Sequence, residues 1–225
     1  MTAISVNCAT KSYPIMLSEV VVFSNISLSI DKGEQIAVLG ASGSGKSTLL
    51  QLMGGLLRPS SGTVSWGDED IWCMSRRKRI MCRNHHIGFI YQFHNLLNEF
   101  NALENVAMPL MIRGEKASSA KEQAESWLNK VGLKDRCYHT PQQLSGGERQ
   151  RAAVARALCG LPSCILADEP TGSLDDKTAR DILYLLQKLS TDHDIALVLV
   201  SHDLILAQNM STLYTLENGS LVSGS

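Results

Sequence analysis

The chain has 225 residues, 44% of them hydrophobic, with 21 Lys and Arg against 22 Asp and Glu. That length supports one large domain or two small ones with a sizeable buried core, and the even charge argues against nucleic acid or any other polyanion as a partner. The six cysteines form no C-x-x-C pair and no zinc-finger spacing, the first residues lack a basic-then-apolar leader, and no apolar run approaches the about 18 residues of a spanning helix, so a reduced, cytoplasmic protein is expected.

In chain order, "ISVNCAT", "VVVFSNISLSI" and "GTVSW" read as short strands separated by turns, which predicts a small antiparallel sheet laid against the core. Between the second and third lies the apolar run "IAVLG", followed at once by "GASGSGKST". This is G-x-x-x-x-G-K-[ST] in the strand-to-helix context the motif requires. The backbone of Gly40, Ala41, Ser42, Gly43, Ser44 and Gly45 would wrap phosphate oxygens, Lys46 would reach the β/γ oxygens, and Ser47, followed by Thr48, would ligate Mg²⁺.

Residues from about 93 to 156 carry helical patterns and no convincing strand, which predicts a helical subdomain inserted in the core. One helix is clear in "AKEQAESWLNKV", with Ala120, Ala124, Trp127, Leu128 and Val131 on one face. Next comes "LSGGERQRAAVARAL", where Ser145, Gly146 and Gly147 open a helix and would present N–H groups to an anion. It is a second phosphate-binding turn in a chain that already has one. The run "CILADEP" then ends a buried strand in two carboxylates: Asp168, suited to hold Mg²⁺, and Glu169, suited to polarise an attacking water. A further helix is marked by Ala179, Ile182, Leu183 and Leu186, and "IALVLVSH" closes the set of apolar runs. Three such runs without alternation fit a parallel sheet covered on both faces, with ligands at its carboxyl edge.

Taken together, "GASGSGKST", "LSGGERQR" and "ILADEP" resemble the ATP-binding subunits of ABC transporters along essentially the whole chain. The resemblance implies an α/β P-loop NTPase of the ABC type: a mostly parallel core sheet, an N-terminal antiparallel β subdomain and the inserted helical subdomain, all in one domain spanning 1–225. It also implies ATP and Mg²⁺ as ligands, and a head-to-tail pair of copies in which each signature turn completes the other's site. By the same resemblance Tyr13 stacks on adenine, Gln92 senses Mg²⁺ and water, Asp175 crosses to the partner copy, and His202 contacts the γ-phosphate.

The segment "GFIYQFHNLLNEFNALENVAMPLMI" resembles the ATPase subunits of lipoprotein-releasing systems, and "ADEPTGSLD" fits the wider group with macrolide-type exporters and a cell-division pair. This implies a peripheral subunit on the cytoplasmic face of the inner membrane, bound to integral permease subunits and touching the membrane only through them. Phe93, Leu96, Leu97, Phe100, Met108, Leu110 and Met111 offer apolar area for such docking. Asn98 and Ser220 depart from the pattern, standing where proline and arginine are usual. A non-transport ABC ATPase or a nucleoside-phosphate kinase would share the phosphate loop; the first usually carries coiled-coil insertions or a second ATPase domain, the second should lack "LSGGERQR" and "SHD".

Overall fold

The computed structural model describes residues 1–15, 18–208 and 210–224. Two long strands, β1 (Thr2–Ile15) and β2 (Ser18–Asp31), pair antiparallel, and β4 (Ser61–Trp66) joins the other edge of β1, followed by the short β5 (Glu69–Asp70). Their order is β2-β1-β4-β5, the expected antiparallel sheet. The second sheet has the order β10-β9-β3-β8-β7-β6, made of β3 (Gln35–Leu39), β6 (Ile87–Tyr91), β7 (Cys164–Asp168), β8 (Ala196–Ser201), β9 (Thr212–Glu217) and β10 (Ser220–Ser223). Five of these run parallel, and β10 alone turns back on β9.

The continuous apolar runs follow from burial of this sheet on both faces. Ala37, Leu39, Ile165, Ala167, Leu197 and Leu199 enter one core with the helices, while Ile36, Val38, Leu166, Val198 and Val200 enter the other with the antiparallel sheet. Successive strand residues point to opposite faces, so neither face tolerates a polar residue.

Helix α1 (Lys46–Met53) leaves β3 through the phosphate loop and packs under the sheet. Helix α2 (Arg76–His86) precedes β6. Then come α3 (Ala102–Ile112), opened by a capping box between Asn101 and Glu104, α4 (Ala117–Lys130), two 3₁₀ turns, and α5 (Gly146–Leu158). Helix α6 (Asp176–Asp192) and the short α7 (Leu204–Ala207) complete the set. Among the described residues, none between 93 and 156 is in a strand.

Strands β6, β9 and β10 and helix α2 escape the sequence reading. Strand β6, "IGFIY", has its apolar run broken by Gly88, on which a Cβ would lie 2.4 Å from the Ala157 carbonyl oxygen of α5. A glycine there permits close helix-on-strand contact, which periodicity does not reveal.

Candidate nucleotide site

The site is built at the carboxyl ends of β3, β6, β7 and β8. Gly43 and Gly45 have φ of +80° and +102°, and Gly45 forms the N-cap of α1. A Cβ on Gly45 would lie 2.7 Å from Val22 Cγ1, so this position requires glycine both for its backbone and for space. Lys46 begins the helix and is only 7% exposed. Its Nζ donates to the carbonyls of Gly40 (2.7 Å) and Ala41 (3.1 Å), and among the described residues it has no carboxylate within ion-pair distance. Among the described residues the buried Ser44 hydroxyl has no hydrogen-bond partner.

The loop faces a cleft of about 670 Å³ lined by Val22, Ser42, Gly43, Gly45, Lys46, Ser47, Thr48, Gln92, Glu169 and His202. Ser47 Oγ donates to Asp168 Oδ1 at 3.0 Å, joining the end of the phosphate loop to the end of β7. Burial raises the Asp168 carboxyl above its ordinary range, the Glu169 charge adds to this, and the Ser47 hydrogen bond and Lys46 oppose it. A cation beside Asp168 would reverse that balance.

Glu169 holds φ at +45°, a conformation a residue with a side chain rarely takes, and its N–H donates to Val200 O at 3.0 Å. Its carboxylate accepts from Ser201 Oγ (3.3 Å) and meets His202 Nδ1 at 2.9 Å. Gln92, just past β6, lies over Gly172, whose Cβ would be 2.9 Å from Gln92 Nε2. The tips of β6, β7 and β8 thus bring Gln92, Asp168, Glu169 and His202 to one edge.

These features fit a nucleotide polyphosphate with a magnesium ion. A buried ammonium that bonds only carbonyls, an unpartnered loop hydroxyl and a glycine cradle are complementary to phosphate oxygens. Among the described residues no cluster of three or more His, Cys, Asp or Glu forms a metal cage. Ser47 with Asp168 is the sparse oxygen set that suits Mg²⁺ shared with phosphates.

The signature turn lies elsewhere. Ser145 caps α5: its hydroxyl accepts from Glu148 N (3.2 Å), and Glu148 Oε2 accepts from Ser145 N (2.8 Å). The Ser145 backbone N–H holds the Glu148 carboxyl below its ordinary range, with Arg136 adding to the effect. Ser145, Gly146 and Gly147 do not line the cleft of their own chain. Gly147 packs on α6, where a Cβ would be 2.8 Å from Thr178 Cγ2. Asp175 is the exposed N-cap of α6, its Oδ1 accepting from Thr178 N at 3.0 Å. Tyr13 also stays outside the cleft lining; its ring stands on β1 with Lys11 Nζ 4.7 Å from the centroid.

Two contributors escape the sequence reading. Val22, on β2, supplies the apolar wall against the phosphate loop, and nothing distinguishes it from its neighbours in "VVVF". Arg156, near the end of α5, donates to His94 O (2.7 Å) and Asn95 O, and both of these residues are left-handed, with φ of +57° and +48°. The guanidinium therefore holds the turn that follows Gln92. An arginine amid "AAVARAL" could have signalled this, because an apolar helical face rarely admits a cation without a partner.

A P-loop core with an antiparallel sheet on one side, helices on the other and a carboxylate pair at the phosphate edge defines an ABC-type ATPase. A family model described as "ABC transporter" matches residues 23–172, and the chain belongs to that family. It is 52% identical to the lipoprotein-releasing system ATP-binding protein LolD of Colwellia psychrerythraea, over 94% of this chain and 82% of that protein. It is 50% identical to LolD of Legionella pneumophila strain Paris, over 94% of this chain and 93% of the relative. Among solved structures, a dimeric ATP-binding cassette in a post-hydrolysis state bound to ADP and Pi superposes with a TM-score of 0.88 at 34% identity, over 97% of this chain and 96% of the other.

Proposed function

We propose that this chain is the ATP-hydrolysing subunit of a lipoprotein-releasing ABC complex on the cytoplasmic face of the inner membrane. The observation that carries the ATPase chemistry is the convergence of buried Lys46, the Ser47–Asp168 pair and the Glu169–His202 pair on one cleft. Near-full-length identity of about half to proteins named for lipoprotein release supports the cargo.

In this reading the loop N–H groups and Lys46 bind and orient the phosphates, and Ser47 and Asp168, with Gln92 nearby, hold Mg²⁺. A bound magnesium ion would supply charge neutralisation on the phosphates. Glu169 orients and polarises the attacking water, and His202, bonded to the same carboxylate, keeps it aimed at the γ-phosphate. Ser145, Gly146 and Gly147 seal the nucleotide of a second copy, Asp175 crosses to that copy, and Tyr13 meets the adenine. The dimeric form of the related cassette supports such pairing. The chain acts as one domain, and its helical part, about 93–156, receives the permease; exposed Phe93, Leu97, Phe100 and Met111 supply apolar area for it.

Glu169→Gln tests the assignment. The variant keeps size and ATP binding but removes the charge, so phosphate release should stop and ATP should shift the protein to a dimer on size exclusion. Near-normal turnover would remove Glu169 from its role.

A further inference from the structure

Helix α2 carries a charge pattern that its own stability does not explain. Its first four residues, Arg76, Arg77, Lys78 and Arg79, are all cationic, the first turn has no acid, and Arg83, His85 and His86 follow near its end. A helix N-terminus is the positive end of the backbone dipole, so four cations there oppose the local electrostatics. The helix holds five of the chain's 21 Lys and Arg and none of its 22 Asp and Glu, which leaves 16 against 22 in the rest. The near-neutral total conceals one strongly basic element on an acidic body.

No residue of α2 is buried. Its inner side is held by Arg79 over the Trp72 ring (4.3 Å) and by Asn84, which donates to Pro109 O (3.1 Å) and accepts from Arg113. The outer side presents Arg76 and Arg77 with Ile80 and Met81 one turn on, and these two apolar residues are 41% and 36% exposed. Among the described residues Lys78 pairs with Glu69, whereas Arg76 and Arg77 make no ion pair or side-chain hydrogen bond. Ile80 lines one cavity of about 390 Å³ with Ile112 of α3, itself exposed, so the patch continues onto the neighbouring helix.

We infer that this face of α2 contacts the membrane directly, with Arg76 and Arg77 on anionic phospholipid headgroups and Ile80 and Met81 at their boundary. Cations around a small exposed apolar stripe suit an interfacial surface, and a charge-asymmetric protein is oriented by a negative plane. The inference goes beyond contact through a permease; it rests on the membrane-facing reading above only for the place where the contact occurs in the cell. The patch adjoins the region proposed to receive the permease, so the same docking would bring α2 toward the lipid.

The test is flotation of the purified full chain with vesicles of phosphatidylcholine alone and with phosphatidylglycerol added. Binding should appear only on the anionic vesicles and fall as salt rises. R76E/R77E should weaken it by at least about twentyfold, from roughly fivefold per cation near a charged surface. R180E/K188E, with the same charge change on exposed positions of α6, should bind as wild type, and all three proteins should melt alike and hydrolyse ATP alike. Equal binding to both vesicles, or equal loss in both variants, would overturn the inference. So would an R76E/R77E variant that keeps vesicle binding, or no vesicle binding by wild type while R76E/R77E abolishes co-purification with the permease; the patch would then face protein. Failure to recover any permease with wild type would instead count against the docking reading and leave the vesicle result standing.

Discussion

At the scale of single residues, backbone conformation decides what the site can be. Gly45 at φ +102° and Glu169 at φ +45° both line the cleft, and only the first is a residue that adopts such a φ freely. Gly45→Ala should cost about 1–3 kcal/mol in strain, besides the collision with Val22, and should abolish nucleotide binding. Denaturant melts and a fluorescent-nucleotide titration would measure both effects. Away from the site, burial pushes the His86 imidazole below its ordinary range, helped by His85, Lys32 and Arg113, while its Nδ1 lies 3.2 Å from Ser163 Oγ. The unfolded chain therefore takes up this proton first. Stability from the neutral ring is intact above about pH 6.5 and is lost as pH falls through the lower folded value. His86→Gln should flatten the fall in Tm on acidification; an unchanged slope would assign the acid sensitivity to other groups.

At the scale of elements, the phosphate loop, the three continuous apolar strands and helices α4 and α6 were legible because each has a local signature: a fixed spacing, an unbroken apolar run or a face at helical period. The runs at 36–40, 164–169 and 195–202 became β3, β7 and β8 within a residue or two at their ends. Strand β6 and helix α2 were not legible, since Gly88 breaks the apolar run of β6 and α2 has no buried apolar face to mark it. The signature turn was legible as the start of a helix, but that it lies outside the chain's own cleft is a tertiary fact. Arg156 was also hidden, because its partners are two carbonyls about sixty residues away in the chain. Arg156→Ala should leave those carbonyls poorly satisfied, costing about 1–3 kcal/mol. It should lower kcat on the order of tenfold with little change in KM for ATP, because the Gln92 turn would lose its support. Glycine at 94 or 95, which accepts a left-handed φ without strain, should restore part of that loss.

At the scale of the whole molecule, Lys46 is a nearly buried cation with no carboxylate within ion-pair distance among the described residues. A desolvated charge without a carboxylate weakens the protein by itself, so Lys46→Met should melt at or above the wild-type temperature. Mg-ATP at a hundred times its Kd stabilises by about 2.7 kcal/mol, which for a chain of this size raises Tm by roughly 5–10 °C. The variant should lose that rise entirely. Persistence of the full rise in Lys46→Met would show that the ligand is held by other groups.

Helix α5 carries Ser145 at its front and Arg156 about 16 Å behind it at 1.5 Å per residue. One end is the proposed latch on a sister molecule's nucleotide; the other grips the turn beside the molecule's own. A stiff rod cannot tilt at one end and stay still at the other, so each catalytic centre would register whether its neighbour is loaded without any separate messenger. Turnover should then rise sigmoidally with ATP, and a hinge glycine placed midway along the rod should make the two centres fire independently.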